Sequence, residues 1–304
     1  MIVKNEEKNL PGILADIRGV VDEICVVDTG STDNTIAVAE SFGAKIGRFP
    51  WVGDFAAARN HSIEIAAADY LLWVDADDRI DFNDRQALAC LKPRLRHQKD
   101  RAYLLKIINS AKDAPEAVHY QARIVPNSKG VRFEGKVHEQ IIPALKRSAI
   151  KIESTDIAIR HTGYHDRETL PEKARRNLEI LTEELNSGKD TATHYYFMAM
   201  AAIGMRDYEQ CLKYLDKARR KHTDEDWLHF SYTVTTDCLL KLGRIEEARQ
   251  EIMGGIAIFP DSPLLRYYHG RVCMQAERFS EAAEALAFAN EHKDVALKVM
   301  VDVT

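Results

Sequence analysis

The first 80 residues alternate short apolar segments with helix-like segments. This alternation is typical of parallel strands covered by helices on both faces, because such strands are apolar on both sides. The predicted strands span residues 1–3, 23–28, 44–49 and 70–74, and the predicted helices span residues 6–18, 33–42 and 55–67. The sequence therefore predicts an α/β domain whose parallel sheet binds ligands at the carboxyl ends of its strands.

The pattern changes twice after residue 80. Three strand-like segments with few helical segments between them are expected to complete the same domain as antiparallel strands. These segments span residues 102–108, 119–125 and 150–160. From Thr169 onward the pattern is helical, with Thr169 as the N-cap and Pro171 in the first turn. We predict two domains, residues 1–168 and residues 169–304.

The helical half contains a repeat. Tyr208, Ile245 and Phe279 lie 37 and 34 residues apart, and each is followed three residues later by a small residue. The 34-residue interval, with Pro260 after the second copy, resembles tetratricopeptide repeats. The three extra residues of the longer interval are predicted to lie in the loop at residues 221–226. Unrelated helical hairpins are the alternative.

Charge and composition narrow the possible functions. A net charge of −5 over 304 residues gives no overall attraction for nucleic acid. No uncharged apolar run reaches the roughly 18 residues that a membrane helix needs, and the polar residues that follow Met1 do not form a signal peptide. The five cysteines lack Cys-x-x-Cys spacing, which argues against disulfides or a zinc site and favours the cytoplasm.

One stretch is locally basic. Its six cations are Lys92, Arg94, Arg96, Lys99, Arg101 and Lys106. A solvated surface accounts for such a stretch, and peripheral docking on an anionic membrane or acceptor is the alternative.

Three carboxylates follow the fourth predicted strand, at Asp75, Asp77 and Asp78. Carboxylates this close repel one another without a cation, and their oxygens suit Mg²⁺ or Mn²⁺. A nucleotide diphosphate can share such an ion. The alternative is a polar turn that caps the next helix.

A second polar turn follows the second predicted strand. Asp28 precedes Gly30 and Ser31, where its carboxylate could accept a hydrogen bond from a base or ribose beside a helix N-terminus. Asp33 is predicted to cap its own helix.

Together these segments resemble family 2 glycosyltransferases of the GT-A, Rossmann-like fold. The matching residues are 3–7 (VKNEE), 26–35 (VVDTGSTDNT), 54–55 (DF), 59–60 (RN) and 73–78 (WVDADD). Residues 132–140 (RFEGKVHEQ) are similar to the acceptor-side loop of a bacterial branch that carries C-terminal tetratricopeptide repeats. That branch includes S-glycosyltransferases that modify bacteriocin peptides.

The resemblance implies roles for individual residues. Asp28 reads the nucleobase, Asp75 and Asp77 hold the ribose and the metal-bridged diphosphate, and Asp77 and His161 bind the metal. Glu139 matches the catalytic base. The remaining predicted nucleotide contacts are Asn5, Glu6, Ser31 and Arg59.

Three features depart from the family pattern or stay open. His138-Glu139 replaces the usual Glu-Asp pair, so His138 remains an alternative base. The chain starts late, which indicates either truncation at the N-terminus or a short first strand. Trp51 and Trp73 are predicted to be core residues or pocket walls rather than sugar platforms.

These implications give one expected function and two alternatives. We expect an inverting transfer from a UDP-sugar, with Mn²⁺ or Mg²⁺, to a hydroxyl or thiol of a peptide or protein, or otherwise of a glycan or lipid-linked glycan. The first alternative is a peptide-binding repeat module whose N-terminal domain binds nucleotide sugar with little activity, the repeats also being candidates for a homodimer interface. A nucleotidyltransferase is disfavoured, because residues 4–7 (KNEE) offer acids where it needs a glycine-rich loop.

Overall fold

A computed structural model describes residues 1–96, 98–111, 114–161, 170–221 and 225–292. The chain divides into two compact units, with the division between residues 167 and 168. Each unit is considered by itself below.

The N-terminal unit begins with a three-stranded parallel sheet. Strands β1 (Ile2–Val3), β2 (Cys25–Asp28) and β3 (Lys45–Arg48) lie in that order, with Val3 opposite Asp28. Helices α1 (Leu10–Ile17), α2 (Thr35–Ser41) and α3 (Phe55–Ile65) follow the three strands in turn. The loops after β1 and β2 therefore leave the same edge of the sheet, as the strand and helix pattern predicted.

A five-stranded mixed sheet forms the rest of this unit. Its strands are β4 (Tyr70–Leu72), β5 (Asp78–Arg79), β6 (Arg101–Ala111), β7 (Ala114–Pro126) and β8 (Lys151–His161), in the order β4-β7-β6-β8-β5. Helix α4 (Phe82–Leu95) lies between β5 and β6, and α5 (Ile142–Arg147) lies between β7 and β8.

Two details of this sheet differ from the prediction. The fourth apolar segment does not extend the parallel sheet, because β4 pairs antiparallel with β7, Leu72 lying opposite Ile124. Strand β8 runs parallel to β6 rather than antiparallel. Strand β7 returns the chain to the end of the sheet where β6 begins, so β8 starts beside the start of β6, with Arg101 opposite Lys151. The overall α/β class is confirmed.

Helix α4 was not predicted, because its apolar periodicity is weak. Only Leu88 and Leu91 are buried, while Pro93 lies inside the helix. Its N-terminus is nevertheless well defined, since the Asp81 carboxylate accepts a hydrogen bond from the Asp84 N–H.

The basic stretch runs from the end of α4 through the following turn into β6, and its three lysines form ion pairs. Lys92 pairs with Asp22, Lys99 with Asp69 and Lys106 with Asp156, at N–O distances of 2.8, 3.1 and 2.8 Å. This pairing favours the solvated-surface alternative. No helix among the described residues combines the length and apolarity needed to cross a bilayer.

The C-terminal unit, over its described residues, consists of helices. They are α6 (Leu170–Asn186), α7 (Ala192–Gly204), α8 (Tyr208–Arg220), α9 (Glu225–Lys241), α10 (Ile245–Ile258), α11 (Pro263–Gln275) and α12 (Phe279–Glu291). The predicted repeat starts are the first residues of α8, α10 and α12. The small residues three positions later, Cys211, Ala248 and Ala282, are fully buried, which explains why the repeat requires small side chains there. The predicted cap Thr169 and residues 222–224 of the predicted loop lie outside the described residues.

Two adjacent glycines in α10 provide a matched test of this packing. Changing Gly254 to alanine is expected to raise the free energy of unfolding by about 0.5–1 kcal/mol, because alanine loses less backbone entropy in a helix and its Cβ would lie 3.8 Å from Tyr232. In Gly255→Ala the Cβ would lie 2.9 Å from Tyr232 Cγ, and overpacking costs about 1–3 kcal/mol. Urea unfolding of both variants measures the difference, and equal effects would contradict this account of the α9–α10 contact.

Candidate active site

The loops after β1 and β2 are joined by hydrogen bonds. Asn5 adopts a left-handed conformation (φ 57°). Its side-chain oxygen accepts from the Thr32 N–H at 2.7 Å, and its own N–H donates to Ser31 Oγ at 2.9 Å. The Glu6 N–H donates to Thr35 Oγ1 at 2.7 Å. The structure therefore brings the predicted nucleotide contacts Asn5, Glu6 and Ser31 together.

Asp28 lies at the base of the same pair of loops. Its carboxylate accepts hydrogen bonds from the N–H groups of Gly30 and Ser31, both at 3.1 Å. Gly30 has φ 111°, a conformation that only glycine adopts readily. Asp33 accepts from the Thr35 N–H at 3.0 Å, so it satisfies a first-turn donor of α2 as predicted, although the N-cap residue itself is Asn34.

The acidic segment after β4 folds back onto the end of β8. Asp78 pairs with His161 in the sheet register. His161 Nδ1 lies 2.9 Å from Asp78 Oδ1 and 3.4 Å from Asp77 Oδ1. The Asp75 N–H donates to Asp78 Oδ2 at 2.8 Å. The structure thus places the predicted metal ligands Asp77 and His161 in contact, with Asp78 between them and the core.

This cluster fits a divalent cation. One ligand atom each of Asp75, Asp78 and His161 lies within 4.8 Å of the others. Carboxylate oxygens with one imidazole nitrogen are donors that Mn²⁺ accepts readily and Mg²⁺ tolerates. The side chains of Asp75 and Asp77 are 21% and 22% exposed, whereas that of Asp78 is fully buried. This group contains Asp78 in place of the predicted ligand Asp77, and an ion would approach it from the open side, where Asp75 and Asp77 are partly exposed.

The titration of these groups reflects crowding of negative charge. Burial raises the pKa of Asp77, and the charges of Asp75 and Asp78 raise it further against the opposing effect of His161. Burial alone would lower the pKa of His161, but its hydrogen bond to Asp78 and the charge of Asp77 raise it. The side chains around this rim therefore favour an additional positive charge.

Two arginines hold the acidic segment from the protein side. Arg59 donates to Asp75 at 3.0 Å, and Arg123 lies 3.4 Å from Asp75 and 3.1 Å from Asp78. Burial alone would raise the pKa of Asp75, but Arg59 and Arg123 together bring it well below its usual range. Asp75 is therefore an ionised carboxylate held in a fixed position.

Trp73 supports both guanidinium groups. The Cζ atoms of Arg59 and Arg123 lie 4.6 and 3.8 Å from the centroid of its ring, within the range of cation–π attraction. The indole N–H donates to the Ala122 carbonyl oxygen at 2.6 Å. Trp73 is thus a buried residue of the site's framework, in agreement with the prediction against a sugar platform.

The loop that carries His138 and Glu139 is fixed against α3. Helix α3 begins at Phe55, whose N–H donates to the Lys136 carbonyl oxygen at 2.8 Å. One turn later Arg59 donates to the Glu139 carboxylate. Glu139 is buried, and His138 is half-buried with φ 52°. The predicted base and the predicted donor residue Asp75 therefore share one guanidinium.

Arg123 is a residue of this cluster that the sequence did not indicate. It lies on β7, and its Nε donates to Gln121 at 2.8 Å. The only sequence signal for Arg123 was its position as a charged residue in an otherwise apolar strand segment. Its partners Asp75 and Asp78 are more than forty residues away in the chain.

Comparisons with known proteins show which proteins this chain resembles. A family model described as "Glycosyl transferase family 2" matches residues 1–91. A TPR repeat-containing protein of Synechococcus elongatus is 34% identical over 146 residues, covering 48% of this chain and 35% of the relative. The SPbeta prophage-derived glycosyltransferase SunS of Bacillus subtilis is 24% identical over 257 residues, covering 80% and 58%. An uncharacterized glycosyltransferase of Rickettsia felis is 31% identical over 110 residues, covering 36% and 38%.

The resemblance that the motifs predicted is confirmed by the family match and the repeat-containing relative. The chain spans between about a third and three fifths of the length of these curated relatives. Among solved structures, a crystal structure of MamA has a TM-score of 0.36 and 17% identity, covering 44% of this chain and 82% of that chain. YrrB, described as a TPR protein with an unusual peptide-binding site, has a TM-score of 0.36 and 19% identity, covering 41% and 64%.

Proposed function

We propose that this chain, which carries a family 2 glycosyltransferase domain at its N-terminus, transfers a sugar from a UDP-sugar to an acceptor hydroxyl or thiol in one inverting displacement. The observation that carries this proposal is the contact of Arg59 with both Asp75 and Glu139. One guanidinium thereby joins the side chain proposed to face the donor to the side chain proposed to act on the acceptor.

The donor binds at the joined loops after β1 and β2. Asp28 and Ser31 face the base and ribose there, beside Asn5 and Glu6. Parallel sheets bind nucleotides at the carboxyl ends of their strands, where helix N-termini attract phosphate. Asp75 binds the ribose and orients the diphosphate, and Arg59 is the nearest cation on the protein side.

Asp77 and His161 would hold Mn²⁺ or Mg²⁺, with Asp75 and Asp78 next to them. The ion supplies a Lewis acid that neutralises charge on the departing diphosphate. The protein's own contribution is to hold Asp75 and Asp78 through Arg123 before the ion binds. A preformed site of this kind avoids reorganisation during the reaction.

Glu139 acts as the base. A carboxylate in this position can take the proton of an acceptor hydroxyl or thiol as the new bond to the anomeric carbon forms. Arg59 orients it through a charge-assisted hydrogen bond. His138 is adjacent in the chain and remains the alternative base.

The repeat unit would bind the acceptor, with a peptide or protein favoured over a glycan or lipid-linked glycan. On α11, Tyr267 and Met274 are 46% and 50% exposed, and their i, i+7 spacing places them on one face. Stacked helical hairpins present such faces to extended peptides. A homodimer through the repeats is the competing use, and a cytoplasmic location agrees with five free cysteines.

A screen of nucleotide sugars tests the donor and the metal. We expect hydrolysis of a UDP-sugar in the presence of Mn²⁺, lost on addition of a chelator and in Asp77→Ala, because the ion then lacks a ligand. Asp156→Ala is a matched control, since Asp156 is an exposed acid on β8 and should retain turnover. Turnover that is indifferent to chelator would remove the metal, and inactivity with every nucleotide sugar would contradict the proposed donor class.

A further inference from the structure

We propose a second metal site, for Zn²⁺, in the last helical hairpin of the repeat unit. Its ligands are His269 and Cys273 on α11 and Glu281 on α12. One ligand atom from each residue lies within 4.8 Å of the other two. The site lies within the C-terminal unit and does not depend on the proposed transferase activity.

The first argument is the distance between two of the ligand atoms. Cys273 Sγ lies 3.4 Å from His269 Nε2. Zinc bonds of about 2.3 Å to sulfur and about 2.0 Å to nitrogen, at a tetrahedral angle, place the two ligand atoms about 3.5 Å apart. One helical turn separates the residues, so α11 presents both ligands on one face at this distance.

The second argument is the chemistry of the donors. A thiolate and an imidazole favour Zn²⁺ over Mg²⁺ or Ca²⁺, which prefer oxygen ligands only. Glu281 completes three protein ligands and leaves the fourth position to water. The charges of a thiolate and a carboxylate together cancel the charge of the ion, so the bound site is neutral. The absence of Cys-x-x-Cys spacing argued against a zinc site in the sequence. That argument does not cover a site whose ligands are one helical turn apart.

The burial of the three residues allows an ion to enter. Cys273 is fully buried, His269 is half-buried and Glu281 is exposed, so the ion approaches along Glu281. His269 Nδ1 is buried and has no hydrogen-bond partner among the described residues. The imidazole can therefore turn to present either nitrogen without breaking a hydrogen bond at Nδ1.

Nearby arginines oppose the ion, but their effect is limited. Arg278 lies 3.5 Å from Glu281 and 4.0 Å from Glu246. It can therefore keep its ion pair with Glu246 when the Glu281 carboxylate binds the ion. Arg266 and Arg249 are the other cations near His269, and a metal binds the neutral form of its imidazole. Burial raises the pKa of Cys273, so the ion must displace the thiol proton to solvent as the Zn–S bond forms.

Cobalt titration of the full chain tests the proposal. Co²⁺ added to reduced, metal-free protein should give a thiolate-to-cobalt charge-transfer band that reaches a plateau and is lost when Zn²⁺ is added. Cys273→Ser should lose this band. Cys238→Ser, at another buried cysteine, should retain it. The cluster of Asp75, Asp77, Asp78 and His161 contains no sulfur and cannot produce this band.

A second variant keeps the test decisive if Cys273→Ser does not fold. Glu281→Gln changes an exposed side chain and should weaken Co²⁺ binding at least ~10-fold, since even outer partners of metal ligands contribute that much. Glu284→Gln, an exposed acid on the same helix, should bind normally. No band, a band that persists in Cys273→Ser, or equal affinity in the two glutamine variants would each overturn the proposal.

Discussion

Replacing Glu139 with glutamine is expected to slow sugar transfer by about 10²- to 10⁴-fold, the contribution of a positioned general base. The amide keeps the size of the carboxylate but cannot take up the acceptor proton. Arg59 retains Asp75 as a partner at 3.0 Å, so the donor side of the site should stay in place. Transfer rates should therefore fall while the dissociation constant for UDP, measured by calorimetry with Mn²⁺ present, changes little.

Two further variants identify the base. Glu134→Gln is the matched control, because Glu134 lies in the same loop but is exposed and pairs with Arg147; its transfer rate should be normal. His138→Ala should retain most of the activity if Glu139 is the base. Loss of transfer in His138→Ala, together with near-normal transfer in Glu139→Gln, would assign the base to His138 instead.

The parts of the site that the sequence predicted are those set by local signals. Asp28 follows an apolar strand and precedes a turn with Gly30 at φ 111°, so strand end, turn and helix start are encoded within a few residues. The acidic segment follows the apolar run that ends at Val74 in the same way. The helical repeat was also predictable, since its period is visible as small residues at fixed intervals.

The parts that the sequence did not predict depend on strand pairing across long separations. Leu72 lies opposite Ile124 because β4 pairs with β7, and this register brings Arg123 to Asp75 and Asp78. Neither hydrophobic periodicity nor turn residues indicate which strand β4 will join. A fourth strand with the same apolar composition could equally have extended the parallel sheet.

The contact between Arg59 and Glu139 could not be predicted either, because it also joins distant parts of the chain. The two residues are eighty positions apart, and family resemblance assigned them separate roles, at the nucleotide and at the acceptor. Their contact depends on the hydrogen bond between Phe55 and Lys136, which fixes the acceptor-side loop against the start of α3. The sequence could therefore name both residues but could not predict that they form an ion pair.

Replacing Arg123 with methionine is expected to lower the free energy of unfolding of the N-terminal unit by about 3–5 kcal/mol, the cost of removing one partner from a buried ion pair. Arg123 is 1% exposed and Asp78 is fully buried, so water cannot replace the lost guanidinium. His161 and the Asp75 N–H still contact Asp78, but neither replaces a full, permanent positive charge. Urea denaturation measures the loss through the transition midpoint.

Two comparisons separate this charge effect from a general effect of substitution. Lys106→Met on the adjacent strand β6 removes a solvent-exposed ion pair with Asp156 and should leave the midpoint nearly unchanged. In the double variant Arg123→Met with Asp78→Asn, the loss should be smaller than the sum of the single losses, because no unpaired buried carboxylate remains. Additive losses, or an Arg123→Met midpoint equal to that of Lys106→Met, would mean that Arg123 does not neutralise the acidic segment. The contribution of Arg123 to stability would then come from its packing against Trp73 alone.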